Sequence, residues 1–414
     1  MAAPSAKRNR VQGKINRRQF IAAGTGAAAL SFTIIKPEQV RGSQANSKIA
    51  LGLIGCGGRG TWIAGLFQKH GGYRIAAAAD YFADRVNVFG DKLQIEPSRR
   101  YTGLSCYRKL LGGKVDAIAI ESPPFYHSAQ AAAGVEAGVH VYLAKPIAVD
   151  VPGCRTVEES AKKATAKKLC FLVDFQTRTD PLYREAVRRA QTGDIGTIIS
   201  GEATYVCGPT WDAQANFLRP DPSDPERRLR AWGLDRALSG DVITEQNIHA
   251  LDVAAWILDA SPIRAFGAGG QKGRTIGNCW DYFSVTFTFP QNTVVTFHSK
   301  QYGRGVDDIC CRMYGTEGTI DTHYFADVNI RGKTPYEGGK VDNVYTNGAI
   351  RNIATFAECI TQGQYSNATV APSVRSNLTT ILGRTAAYRR SEVTWEEVIE
   401  AGERLDPKLS GLKD

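Results

Sequence analysis

The chain has 414 residues, 43% hydrophobic and 22% charged, a globular composition too long for one ordinary core, so two domains plus a leader are expected. Its net charge of +10 is unevenly placed: residues 1–47 hold eight Lys and Arg against Glu38, which leaves +3 for everything after them. The folded body is therefore only mildly basic, and a nucleic-acid partner is excluded.

In chain order, a basic stretch ends at Asn16-Arg17-Arg18-Gln19-Phe20-Ile21, and an Ala/Gly-rich, mildly apolar run follows to Ile35. Paired arginines before such a run resemble a twin-arginine export signal. Ser43-Gln44-Ala45 is a small-x-small cleavage site. Residues 1–45 are read as this signal, the export machinery as a partner, and the location as periplasmic or otherwise exported after folding. No other stretch is long and apolar enough to span a membrane.

The next segment, Ile49 to Gly60, is a buried-strand pattern running into Gly-x-Gly-x-x-Gly. Gly55 permits the tight turn, Gly57 leaves the backbone open to a pyrophosphate, and Gly60 lets the following helix pack close. With Gly58 and Arg59 they form a phosphate-binding turn whose helix N-terminus offers unpaired N–H groups. A second apolar run, Tyr73 to Ala79, ends at Asp80, 25 residues after Gly55. A carboxylate there accepts hydrogen bonds from a ribose 2′-hydroxyl and repels a 2′-phosphate, so NAD is favoured over NADP.

Apolar runs then alternate with helical stretches up to Val173: a strand at Asp116–Ile120, a helix at Ser128–Ala137, a strand at His140–Leu143, a helix at Val151–Lys168 and a strand at Leu169–Val173. Such alternation predicts an α/β Rossmann domain with a doubly wound parallel sheet over residues 46–174. From residue 175 the texture is β-rich. Strands are expected at Ile198–Tyr205, Tyr282–Phe289, Val294–Ser299 and Arg312–Gly315, the middle pair as a hairpin. Helices are expected at Pro181–Gln191, Val242–Leu258, Ile350–Gln362 and Ser373–Arg390, and a surface loop at Phe217–Trp232. Residues 175–414 thus read as an α+β domain with a large, mostly antiparallel sheet. Nine scattered cysteines without a Cys-x-x-Cys pair suggest neither a zinc site nor a disulfide framework.

Three segments carry chemistry. Glu121 to His127 follows a strand, and ligands in such sheets bind outside the strands' carboxyl ends, so Ser122, Pro123 and His127 are candidates for the dinucleotide site. Lys145 follows the strand His140–Leu143 directly; partly desolvated in the cleft, it would take or give a proton near neutral pH. On the predicted helix Val242–Leu258, Glu245, His249 and Asp252 stand at i, i+4 and i+7 and share one face. His249 is a candidate general base with Glu245 orienting it. Glu-x-x-x-His is also metal-ligand spacing, but without a third ligand cluster no metal is expected.

These segments occur in the order of one family, followed by Gly315-Thr316-Glu317-Gly318 and Leu382-Gly383-Arg384-Thr385-Ala386. From Lys48 to about Glu400 the chain resembles the glucose–fructose oxidoreductase, inositol dehydrogenase and rhizopine-catabolism proteins (Gfo/Idh/MocA). The resemblance implies that Lys145 and His249 match the catalytic lysine and histidine, and that Glu245 takes the place of a carboxylate one turn earlier, usually Asp. Ala144 stands where the family usually has a glutamate contacting the nicotinamide-side ribose, and Asn247 replaces a frequent glycine as a substrate contact. Arg178 and Tyr205 are further substrate candidates, with Tyr324 and Asn343 behind them.

The expected activity is an NAD-dependent oxidoreduction of a sugar or polyol hydroxyl. The alternatives are a glycoside hydrolase that oxidises C3 transiently and cleaves by elimination, and a non-catalytic carbohydrate sensor. Relatives imply a homo-oligomer built on an exposed sheet face.

Overall fold

A computed structural model describes residues 48–414; the export signal and its cleavage site lie outside the described residues. Six strands form the first sheet: β1 Ile49–Ile54, β2 Tyr73–Asp80, β3 Arg100–Thr102, β4 Ala117–Ile120, β5 His140–Ala144 and β6 Phe171–Asp174. Their order is β3-β2-β1-β4-β5-β6, and every pairing is parallel. β1, β4 and β6 are buried along their whole length, as continuous apolar strands covered on both faces must be. The order reverses between β1 and β4, and a crevice opens there at the strands' carboxyl ends.

The second sheet holds nine strands: β7 Ile198–Val206, β8 Arg264–Gly270, β9 Tyr282–Thr288, β10 Val294–Lys300, β11 Asp308–Gly315, β12 Gly318–His323, β13 Asp327–Gly332, β14 Tyr336–Lys340 and β15 Val393–Thr394. They run in the order β14-β13-β12-β11-β7-β10-β9-β8-β15. β7 and β10 pair in parallel and the other pairings are antiparallel. The expected hairpin is β9–β10, turned at Pro290–Asn292. Helices Ile248–Leu258 and Val370–Arg389 pack on one face of this sheet. Gly383 allows the close approach, since a Cβ there would sit 2.6 Å from the Phe287 ring.

The chain then returns to the first sheet. Helix Val344–Gln362 packs on helix Gly58–His70, with Trp62 stacked on Tyr345 at 4.6 Å and Phe356 in one core with Phe67 and Tyr142. Beyond it, Asn367 and Thr369 accept hydrogen bonds from the backbone N–H of Phe171 and Val173, covering the edge of β6.

Two expectations are corrected. Residues 217–232 are more than a surface loop: short helices Ala215–Leu218 and Pro225–Arg230 bury Leu218 and Leu229. Arg230 lies 3.9 Å over the Phe82 ring and pairs with Asp84 at 2.7 Å, and Tyr81 Oη donates to Glu226 at 2.8 Å. The prolines and charges that suggested a loop instead cap helices and latch them to the end of β2. The expected helix Val242–Leu258 is two helices, Asp241–Glu245 and Ile248–Leu258. The Asn247 N–H reaches back five residues to Val242 O, which inserts a residue into the turn and re-aims everything after it. Among the described residues no helix is long and apolar enough to cross a membrane, and all nine cysteines are free.

Candidate active site

A cleft of about 560 Å³ opens at the crevice between β1 and β4. Gly55, with φ +96°, turns the chain out of β1; a Cβ there would fall 2.5 Å from the backbone of Glu121. At Gly60 a Cβ would fall 1.9 Å from Gly55 O, so only glycine lets the helix start against the turn. At Gly57 and Gly58 the space is open: a Cβ would meet only Arg85, at 3.8 Å, or nothing. Helix Gly58–His70 has no side-chain cap and no acid in its first turn, so its N–H groups and dipole face the cleft. The cradle, with all five of Gly55, Gly57, Gly58, Arg59 and Gly60 lining it, fits a pyrophosphate.

Asp80, at the end of β2, lines the same cleft. Its Oδ2 accepts from Cys56 N–H at 2.8 Å and its Oδ1 from Phe82 N–H at 3.0 Å. Burial raises its pKa and these two donors oppose the rise. Each oxygen keeps a free lone pair for a ribose hydroxyl. Opposite, Pro209, Trp211 and Trp232 of the latched segment close the cleft, the two indoles 4.9 Å apart.

Ser122, Pro123 and His127 also line it. His127 has carbonyl oxygens at 2.7 Å on both ring nitrogens, Pro146 O on Nδ1 and Ser122 O on Nε2. Burial lowers its pKa to about 4, so as a neutral ring it donates to one of them. Its evident task is to tie the loop after β4 to the loop that carries Lys145.

Lys145 and Glu245 meet at the inner end of the cleft. Lys145 Nζ donates to Glu245 O at 2.6 Å and to Glu245 Oε1 at 3.3 Å, and both side chains are 8% exposed. Burial lowers the lysine's pKa while Glu245 works against the drop. Glu245 Oε2 accepts from Gln246 Nε2 at 2.8 Å, and Gln246 Oε1 accepts from Tyr205 Oη at 2.7 Å. Tyr205 thus reaches the site through Gln246 and does not line the cleft.

His249 and Asn247, which follow Glu245 in the chain, are buried and do not line the cleft. His249 Nδ1 and both polar atoms of Asn247 have no partner among the described residues, and neither has Tyr324 Oη, whose ring meets His249 edge-on at 5.5 Å. Burial first, then the charges of Lys145 and Arg59, hold His249 well below its ordinary pKa and therefore neutral. Unsatisfied buried polar atoms are rare in native proteins, and of these residues His249 is the one on which the Lys145 charge acts.

The shared face expected of Glu245, His249 and Asp252 does not exist, because the helix breaks between Glu245 and Ile248. Asp252 turns away and takes Arg178 at 2.8 Å together with Ser376 Oγ. Arg178, also held over the Trp256 ring, is thereby committed to packing and not to the cleft. Asn343 caps helix Val344–Gln362 through Thr346 N–H.

Sequence reasoning missed a buried ion cluster. Arg59 pairs with Glu121 at 2.8 Å and with Asp174, and donates to Tyr345 Oη at 2.8 Å. Asp174 also accepts from Gln176 and Asn352. Burial raises the Glu121 pKa to about 7 against the pull of Arg59. Acids at the ends of β4 and β6 were the available signal. Glu121 stands one strand over from Ala144, and both line the cleft.

Two family models match the chain: "Oxidoreductase family, NAD-binding Rossmann fold" over residues 49–172 and "GFO/IDH/MocA C-terminal domain" over residues 183–321. Among curated relatives, a levoglucosan dehydrogenase of Pseudarthrobacter phenanthrenivorans is 24% identical over 56% of this chain, and inositol 2-dehydrogenase 3 of Saccharopolyspora erythraea is 26% identical over 50%. The chain spans 63% and 54% of those two proteins' own lengths. A solved oxidoreductase domain protein from Kribbella flavida shares the fold with a TM-score of 0.69 at 19% identity, over 84% of this chain and 99% of that one.

Proposed function

Because the chain belongs to the GFO/IDH/MocA oxidoreductase family and carries its NAD-binding Rossmann domain, we propose that it transfers hydride between a sugar or polyol hydroxyl and nicotinamide. The observation that carries this reading is the buried Lys145–Glu245 pair lining the inner end of the dinucleotide cleft, with the unpartnered His249 near enough for the Lys145 charge to act on it. NAD supplies the hydride acceptor when bound. The Gly55–Gly60 turn binds its phosphates and Asp80 its adenosine ribose. Glu121 is the carboxylate available to the nicotinamide half where Ala144 offers none.

In the oxidative direction the carbinol carbon gives up hydride and its hydroxyl gives up a proton, leaving a ketone. Lys145, its pKa lowered by burial, takes that proton as the neutral amine, and Glu245 stabilises the ammonium that forms. His249 and Asn247 orient the substrate through hydroxyl hydrogen bonds, His249 Nδ1 being the second candidate for the proton. Proton transfer to a positioned base is worth about 10²–10⁴-fold. Residues 1–45 serve twin-arginine export, and an NAD-loaded, folded homo-oligomer crosses to the periplasm.

The test is NADH formation over a panel of sugars and polyols. Lys145→Met and His249→Ala should lose most turnover with an unchanged fold, and wild-type rates in both overturn the assignment. Aryl-glycoside cleavage in D₂O with deuterium incorporated at C2 and no net NADH would replace dehydrogenation with transient oxidation and elimination.

A further inference from the structure

A second cavity, of about 340 Å³, lies apart from the dinucleotide cleft. Helix Val370–Arg389 contributes Arg384, Tyr388 and Arg389 to its lining, the short helix Arg236–Ser239 contributes Arg236, and the C-terminal segment contributes Glu403. Three guanidiniums against one carboxylate give the lining a charge of +2.

Arg384 is 6% exposed. Its Nη1 donates to Val149 O at 2.9 Å and to Gly240 O at 2.8 Å, and its Nε and Nη2 have no acceptor among the described residues. The buried acid on this side, Asp241, is already engaged: it accepts from Tyr388 Oη at 2.6 Å, Val242 N–H at 2.7 Å and Trp280 N–H at 3.1 Å. Arg236 lies over the Tyr388 ring at 4.6 Å, which fixes its guanidinium plane at the cavity wall. No carboxylate pairs with Arg236, Arg384 or Arg389 among the described residues. The charges of Asp241 and Glu403 offset part of the cost of burying Arg384, while its planar Nε/Nη2 edge, bonded to neither, matches two oxygens of a phosphate.

We propose that this cavity is a binding site for a phosphate group, held by the free edge of Arg384 and by Arg236 and Arg389. A phosphate monoester carries about −1.5 to −2 at neutral pH, which matches the lining, and the volume admits a small phosphorylated molecule as well as the free ion. The site is independent of the hydride chemistry. Through Arg384 it touches Val149, in the loop after Lys145, and Gly240, which leads into the helix that ends at Glu245.

The experiment is calorimetric titration of the NAD-saturated protein, so that the glycine turn is taken, with inorganic phosphate in one arm and glycerol 3-phosphate in the other, against chloride of equal ionic strength. Saturable binding of either ligand at one site per chain is expected, and the stronger arm tells the free ion from the monoester. Arg236→Gln together with Arg389→Gln, both at the cavity wall and neither holding the fold's backbone, should weaken it at least tenfold. Arg384→Gln is kept as a second variant because it also unties two carbonyls. No saturable heat beyond chloride, or unchanged affinity in the Arg236/Arg389 double variant, overturns the proposal.

Discussion

Glu245→Gln keeps the shape of the side chain and removes its charge. Lys145 then retains the Glu245 carbonyl at 2.6 Å and loses the carboxylate at 3.3 Å. At an effective dielectric of about 20, a unit pair at that separation is worth about 5 kcal/mol. Breaking a buried pair by removing one partner costs about 3–5 kcal/mol. With both side chains 8% exposed, little solvent screening reduces this. The lysine can escape by losing its proton, so the cost depends on pH. Burial already lowers the Lys145 pKa in the fold, whereas the unfolded chain holds that proton up to about pH 10.4. Between the two values the unfolded state binds more protons, so stability rises with pH. Losing Glu245 extends that window downward. Urea unfolding of wild type and variant from pH 6 to 10 should show a deficit of about 3–5 kcal/mol near neutrality that shrinks as pH rises. Adding Lys145→Met removes the stranded charge, and the double variant should cost less than the two singles together. A pH-independent deficit, or additive costs in the cycle, refutes a coupled buried pair.

Gly60→Ala puts a Cβ 1.9 Å from Gly55 O and should abolish measurable NAD binding in calorimetry, while Gly58→Ala, with nothing within 4 Å of its Cβ, leaves a folded protein. Asp80→Asn should weaken NAD by about 10–100-fold, the worth of a charge-assisted hydrogen bond of about 1.5–3 kcal/mol, and narrow the preference over NADP; an unchanged NAD/NADP ratio refutes its role at the ribose. Glu121 has its pKa raised to about 7, so its contribution to stability is present below the ordinary carboxylate range and lost as pH rises through about 7. Glu121→Gln should therefore flatten the stability–pH curve between about 4.5 and 7, read by thermal unfolding; an identical slope in the two proteins refutes burial as the cause. His127→Ala unties the Ser122 and Pro146 carbonyls and should lower kcat more than it raises the KM for NAD; the reverse split would make it a cofactor contact.

The first half of the molecule was legible because its signals are local. An apolar strand, a glycine turn and an acid at the next strand's end specify their own hydrogen bonds and positive φ, and the strand boundaries of β1, β2, β5 and β6 fall within two residues of those expected. Lys145 lines the cleft because it directly follows a parallel strand at the sheet's carboxyl end. Periodicity failed at Gln246–Asn247, where no glycine or proline marks the break and a single five-residue backbone bond outweighs a continuous apolar pattern. At the break Glu245 meets Lys145, 100 residues away in sequence.

The same division runs through the whole chain. By itself the sequence determined the glycine turn, the acid at the end of β2, the parallel sheet and the residues at its strand ends, since each depends on near neighbours and on side-chain size. Tertiary structure alone decided which charges find each other. Arg178 is taken by Asp252, Arg59 gathers Glu121 and Asp174, residues 209–232 close the cleft, and the Arg384 edge is left open. Pairing of distant charges depends on which strands lie side by side and how deeply they are buried, and the parallel β7–β10 contact that sets the second sheet leaves no trace in any local pattern.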